Sequence, residues 1–242
     1  MIYAAKSVTG VRPQNQDTCF VPRGGEISLA VVADGMGGHN AGDVASALAV
    51  ETLVAELKRG GPGGPAALLT NAVNKANSAV YEKAAQSQAL RGMGTTMVLA
   101  LLFNTRFYAA NVGDSRLYYF HDGVLEQVTT DHSYVAELVA SGYITKEEAA
   151  RHPRRNLITR ALGTRPCERV DLFERDWNRG DKLLLCSDGL YGELSEADLI
   201  RALSCAPEEM QQACDSLVQD ALYAGSRDNV SAVMVLNEEA RV

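Results

Sequence analysis

Apolar positions in this chain follow two different periods, and the switches between them mark out its elements. Short β-branched and apolar runs that end in turn residues predict strands over residues 2–8, 18–21 and 27–34, the last entering a loop with Gly35, Gly37 and Gly38. From residue 42 to 58 the apolar side chains recur at Val44, Leu48, Leu53 and Leu57, and from 65 to about 90 at Leu69, Val73, Ala76 and Val80. That spacing is near the helical period. It predicts two helices, separated by Gly60-Gly61-Pro62-Gly63-Gly64, which a continuous helix does not cross. Residues 94–103, 106–112, 115–120 and 124–128 then read as four strands. The loops between them are short enough to predict that each strand lies antiparallel to the next.

Past residue 130 the strand pattern lapses into short helical pieces over 135–141 and 146–151 and a turn at His152-Pro153, which marks residues 131–168 as an inserted flap. Strands resume at 170–174 and 182–186, helices follow at 196–203 and 207–224, and a last strand covers 230–236. Ser195 with Asp198 has capping-box spacing, and Gly225 suits a helix stop. Strands thus come in runs with helix pairs between them, which favours an α+β layered sandwich over a doubly wound parallel sheet. With no repeat and no long linker, the expectation is one domain across residues 1–242.

Composition narrows the function. Twenty-three basic and 30 acidic residues leave a net charge of −7, so neither nucleic acid nor an anionic membrane surface is an expected partner, whereas a cation is. No apolar stretch approaches the roughly 20 residues of a membrane span. The five cysteines, Cys19, Cys167, Cys186, Cys205 and Cys214, are scattered and odd in number, and MIYAAKSVTG lacks a signal-peptide core. A cytoplasmic setting is expected.

The chemistry concentrates in four aspartates near strand ends: Asp34 in VVADGMGGH, Asp114 in NVGDSR, Asp188 in LLLCSDGL and Asp228 in SRDNVSAV. A carboxylate just past a buried strand is held by a rigid element while its head reaches a cleft, and several can converge on one point. Carboxylates, glycine carbonyls and water suit hard cations such as Mg²⁺ and Mn²⁺, and no His/Cys spacing here suits zinc. Asp-Gly alone is a turn signal, as Asp122-Gly123 between YYF and VLEQV shows. Asp34 differs, because it is followed by more glycine than a hairpin needs and then by a helix. Cys186 reads as core filling.

The ordered series RPQNQD (12–17), ADGMGGHNAGDVAS (33–46), GMGTTMVLALL (92–102), NVGDSRLY (111–118), TTDHS (129–133), NLITRALG (156–163), LLCSDGLY (184–191) and SRDNVSAVMV (226–235) resembles the bacterial metal-dependent Ser/Thr protein phosphatases of type 2C, the PPM family. The resemblance implies a four-layer α-β-β-α sandwich of two antiparallel sheets flanked by helix pairs. It also implies hydrolysis of phosphoserine and phosphothreonine proteins by a metal-activated hydroxide, opposing a bacterial Ser/Thr kinase. By motif match, Asp34 bridges two Mn²⁺ or Mg²⁺ ions, the Gly35 carbonyl binds the first, and Asp188 and Asp228 bind the second. Asp114 shares a third, weaker ion with Asp188, Arg12 holds the substrate phosphate, and Asp17 orders metal-bound water. Two departures stand out: Gln16 occupies the place of a glutamate in many relatives, and Met36 that of the eukaryotic general acid, which makes His39 the substitute proton donor. Six arginines, Arg151, Arg154, Arg155, Arg160, Arg165 and Arg169, reverse the charge locally in the flap, either as a solvated face or to steer phosphopeptides. His121, His132 and His152 read as structural. The competing functions are a catalytically weak phosphoprotein-binding relative and another two-metal phosphoesterase.

Overall fold

A computed structural model describes residues 1–24 and 27–238, with Gly38, His39 and Asn40 described as helix backbone only. Among the described residues, eleven strands form two sheets in which every pairing is antiparallel. One sheet has the order β1 (Ile2–Val8), β11 (Val230–Leu236), β10 (Lys182–Cys186), β7 (Arg116–His121), β8 (Val124–Gln127). The other runs β2 (Asp17–Phe20), β3 (Leu29–Met36), β5 (Met97–Leu102), β6 (Arg106–Val112), β9 (Asp171–Asp176), with the two-residue β4 (Gly94–Thr95) paired to β3.

The central strands are apolar on both faces because both faces are covered, which is why they read as unbroken hydrophobic runs rather than alternations. Ala30, Val32, Val98, Phe107, Leu117, Leu183, Leu185, Val233 and Trp177 fill the layer between the sheets. Their alternates Leu29, Val31, Met97 and Leu99 meet the helix pair α1 (Gly38–Arg59) and α2 (Pro65–Ala85). Leu184, Cys186, Ala232 and Met234 meet α6 (Glu196–Leu203) and α7 (Met210–Tyr223) on the opposite side. Helix, sheet, sheet, helix is the layering that the family resemblance implies. The capping box of Ser195 and Asp198 opens α6, and Gly225 follows α7 with φ +105°.

Several local expectations are corrected. The strand expected over 94–103 breaks at Thr96 into β4 and β5. The first helix begins at Gly38, not at 42, and a 3-10 turn, Gln88–Leu90, replaces the last part of the second. A short helix α5 (Asp188–Tyr191) follows β10 where none is expected. Most consequential, β6 and β7 are not neighbours: Gly113-Asp114-Ser115 carries the chain from one sheet to the other. Short loops predict pairing only within a sheet, and this loop crosses the sandwich edge. Within 131–168 lie α3 (Tyr134–Ala140) and α4 (Lys146–Ala150), and the segment is closed by a bridge between Ser133 and Ile158.

Leu185 sits fully buried in the inter-sheet layer. Leu185→Ala removes apolar contact from both sheets and leaves a cavity, so unfolding in denaturant should show a loss of about 3 kcal/mol with the m-value unchanged.

Candidate metal centre

One edge of the sandwich collects acidic side chains from both sheets. Asp34 lies inside β3, and its register partner across the ladder is Asp17, the first residue of β2. Directly paired residues of antiparallel strands share a face, so these two carboxylates are neighbours by construction. The broken β4–β5 strand holds Asp34 in place: its N–H donates to Thr96 Oγ1 at 2.9 Å, and its carbonyl accepts from Thr95 Oγ1 at 2.9 Å and Thr96 N–H at 2.8 Å. From the other sheet come Asp188, the first residue of α5, and Asp228, two residues before β11. Ser187 fastens the sheets together, donating through Oγ to Asp17 Oδ2 at 2.8 Å while accepting the Ser231 N–H at 3.1 Å. Asp114 enters from the crossover loop, its carbonyl accepting the Tyr191 hydroxyl at 3.1 Å.

Asp17, Asp34, Asp114 and Asp188 crowd one another in that corner, and their protonation responds. Burial, together with the charges of Asp17, Asp188, Asp114 and Asp228, holds the Asp34 carboxyl well above the usual range. Burial and Asp188 push Asp114 up to about 8. Asp17 rises to about 6 through burial, against hydrogen bonds from serines, and Asp188 rises to about 6 through burial and the Asp228 charge. The Arg116 guanidinium, two residues on from Asp114, grips Asp131 through Nε at 3.0 Å and Nη2 at 2.7 Å, lying 3.6 Å over the Tyr191 ring.

Gly35 is required where it stands. A Cβ there would meet the Gly42 carbonyl oxygen of α1 at 2.0 Å and the Gln16 carbonyl at 2.6 Å. Its own carbonyl lies 2.7 Å from where a Gly42 Cβ would sit, and its N–H donates to Gln16 O at 3.1 Å. A cleft of about 500 Å³ opens beside it, lined by Arg12, Gln14, Gln16, Asp34, Gly35 and Asp228. Arg12 spans its mouth, donating through Nη2 to Asp228 Oδ2 at 2.7 Å and through Nε to Arg227 O at 3.1 Å. The His39 side chain lies outside the described residues.

The donor set fits hard divalent cations. Asp17 Oδ1 and Asp188 Oδ1 are buried with no hydrogen-bond partner, and such an oxygen is costly unless something positive meets it. Among the described residues, no three carboxylate, imidazole or thiol side chains stand tightly enough together to hold an ion as they are, as expected of acids that repel one another. Asp228 would have to exchange Arg12 for the ion. Cys186, fully buried on β10 with its thiol pushed up to about 12 by burial, takes no part.

Sequence reasoning passed over four residues that build this corner: Thr96, Ser187, Tyr191 and Asn229. Asn229 ties the 9–16 loop down, donating through Nδ2 to Thr9 O at 2.9 Å and Gln14 O at 3.0 Å and accepting the Gln16 N–H through Oδ1 at 2.9 Å. Its place beside Asp228 was the available signal. In the 131–168 region and just after it, Arg160 and Arg169 pair with Asp171, and Arg154 faces the Tyr134 ring.

Comparison with known proteins gives this corner a context. The family described as protein phosphatase 2C matches residues 10–232. The serine/threonine protein phosphatase PstP of Mycobacterium tuberculosis is 41% identical over 96% of this chain, which spans 44% of that protein's length. The serine/threonine phosphatase stp of Listeria innocua is 38% identical over 86% of this chain and 83% of its own. Among solved structures, the PstP catalytic domain in complex with two manganese ions superposes with a TM-score of 0.85 at 39% identity, covering 96% of each chain.

Protonation supplies a test of the acidic corner. Folding raises the Asp114 carboxyl from its ordinary 3.8 to about 8, so the stability tied to its proton is present below pH 4 and lost as pH rises through 8. In chelator, Asp114→Asn should therefore melt close to the parent at pH 4 and above it at pH 8, by an amount on the order of a few kcal/mol. Melting curves across that range, without and with Mn²⁺, check this, since Mn²⁺ should restore the parent at pH 8.

Proposed function

The chain belongs to the protein phosphatase 2C family, and from that premise we propose that it is a metal-dependent phosphatase of phosphoserine and phosphothreonine proteins. The observation that carries the reading is the set of aspartates drawn from both sheets to one edge, with Asp17 Oδ1 and Asp188 Oδ1 buried and left unpartnered. Two Mn²⁺ or Mg²⁺ ions bound there supply the positive charge that lets a nucleophile approach a phosphate dianion, together with an acidified water.

The protein's own groups do the rest. Asp34, on a strand clamped by Thr95 and Thr96, would serve both ions, with the Gly35 carbonyl beside it. Asp188 and Asp228 would hold the second ion, Asp114 would serve a third and weaker site, and Asp17, oriented by Ser187, would accept hydrogen bonds from water. Arg12 is the phosphate clamp: with Nη2 and Nε on Asp228 and Arg227, its Nη1 side is the part left to meet a substrate oxygen at the cleft mouth. His39 is assigned as proton donor to the leaving serine or threonine oxygen. Residues 1–242 make one catalytic domain with a flap over 131–168, acting on cytoplasmic proteins phosphorylated by a bacterial Ser/Thr kinase.

Mn²⁺-dependent hydrolysis of a phosphothreonine peptide, run beside a DNA substrate, tests the class, and only the peptide should be turned over. Asp34→Ala should abolish turnover with folding intact by circular dichroism, and near-normal hydrolysis by it would sink the assignment. Arg12→Ala should raise KM by about 10- to 100-fold, the worth of a charged hydrogen bond. Calorimetric Mn²⁺ affinity should not fall in that variant, because removing the guanidinium frees Asp228.

A further inference from the structure

His132 lies apart from the acidic corner in sequence, yet the crossover loop that carries Asp114 hangs on it. The Gly113 N–H donates to His132 Nδ1 at 3.0 Å, and the His132 N–H donates to Gly113 O at 2.9 Å, so one residue holds both peptide groups of the glycine before Asp114. The loop has little room to move otherwise. Gly113 has φ +109°, and a Cβ on it would lie 2.6 Å from Thr96 Cβ, the same threonine that accepts the Asp34 N–H.

The contacts define the ring's state. A donor facing Nδ1 requires a lone pair there, so the neutral ring carries its proton on Nε2 and donates it to Asp171 Oδ2 at 3.0 Å. Arg160 Nη1 donates to Asp171 Oδ1 at 3.0 Å and stands 3.0 Å from His132 Nε2, so ring and guanidinium meet side by side at one carboxylate. His132 is 5% exposed, which keeps water from competing for these bonds. The same residue anchors the 131–168 segment: the Thr159 N–H donates to His132 O at 2.8 Å, and the Ser133–Ile158 bridge follows directly.

We propose that His132 is a positioning residue that aims Asp114 through the two hydrogen bonds on Gly113 and couples the 131–168 segment to that aim. The proposal rests on the reading of Asp114 as a metal ligand, and its test separates the two. Three variants divide the ring's functions. His132→Asn keeps an acceptor at the Nδ1 position without reaching Asp171, His132→Gln reaches toward Asp171 without that acceptor, and His132→Ala keeps neither.

In metal-free protein, ¹⁵N spectroscopy should find the His132 ring protonated on Nε2. The Gly113 amide should exchange slowly in the parent and in His132→Asn, and at least about tenfold faster in the Gln and Ala variants, the worth of one lost hydrogen bond. With Mn²⁺ and a phosphopeptide, kcat should follow the same order while KM stays within about twofold, as expected when a group acting through another is lost. Comparable melting temperatures for the Asn and Gln variants keep the comparison meaningful even if Ala folds poorly. A ring protonated on Nδ1, or equal Gly113 exchange in the Asn and Gln variants, overturns the clamp. Loosened Gly113 with unchanged kcat, while Asp114→Asn is impaired, overturns the positioning role and leaves the ligand reading standing. Full activity in Asp114→Asn removes the ligand reading first, and the positioning role with it.

Discussion

Five aspartates brought together at one edge of the sandwich are the arrangement on which the rest of the structure turns, and burial raises the carboxyl pKa of four of them, Asp17, Asp34, Asp114 and Asp188. Left to themselves they would separate or take up protons, and the raised carboxyl pKa values of four of them agree with acids held together at one edge. What prevents it is the stack of apolar side chains between the sheets, which fixes the strand ends bearing the acids to a common edge. Hydrophobic burial far from the site thus sustains a local electrostatic strain, a pattern expected where a fold reserves a place for a cation.

Rigidity at that edge comes from backbone pairing rather than from side-chain bulk. Asp17 and Asp34 face each other because their strands are in register, the Thr95 and Thr96 hydroxyls bind the Asp34 backbone within that sheet, and the Ser187 hydroxyl reaches Asp17 from the other. Asn229 does the same for the loop bearing Arg12. Small polar residues at element ends let two sheets meet closely without leaving backbone groups unsatisfied, a common way of building a precise site on a rigid scaffold.

Much of this was legible from the residues alone. Periods of two and near 3.6 place most strands and helices within a few positions, and the runs of strands separated by helix pairs imply the layered class. The misses have physical causes. Asp34 reads as a strand-end residue because glycines follow it, yet β3 continues through Gly35 and Met36, since β4 and the Gln16 carbonyl offer hydrogen bonds that propensity does not record. The crossing from β6 to β7 is invisible to loop length, because a three-residue connection serves equally for a hairpin or a step between sheets. Helix α5 is too short to leave a period. Arg12 was expected to hold a phosphate, and the structure adds its grip on Asp228, a contact spanning 216 residues that no local pattern encodes.

The outermost strand β1 pairs along its whole length with β11, Ile2 opposite Leu236 and Val8 opposite Val230. Arg12 and Asp17 follow the first of these strands, and Asp228 precedes the second. As the polypeptide emerges during synthesis, the segment bearing Arg12 therefore waits for one made 216 residues later, and closing so long a loop is slow relative to forming the helix pairs. A partly made chain can collapse around its α1–α2 layer without possessing a cleft. The acidic corner is consequently complete only once β1 has met β11, so its formation reports on completion of the entire sandwich rather than on any portion of it.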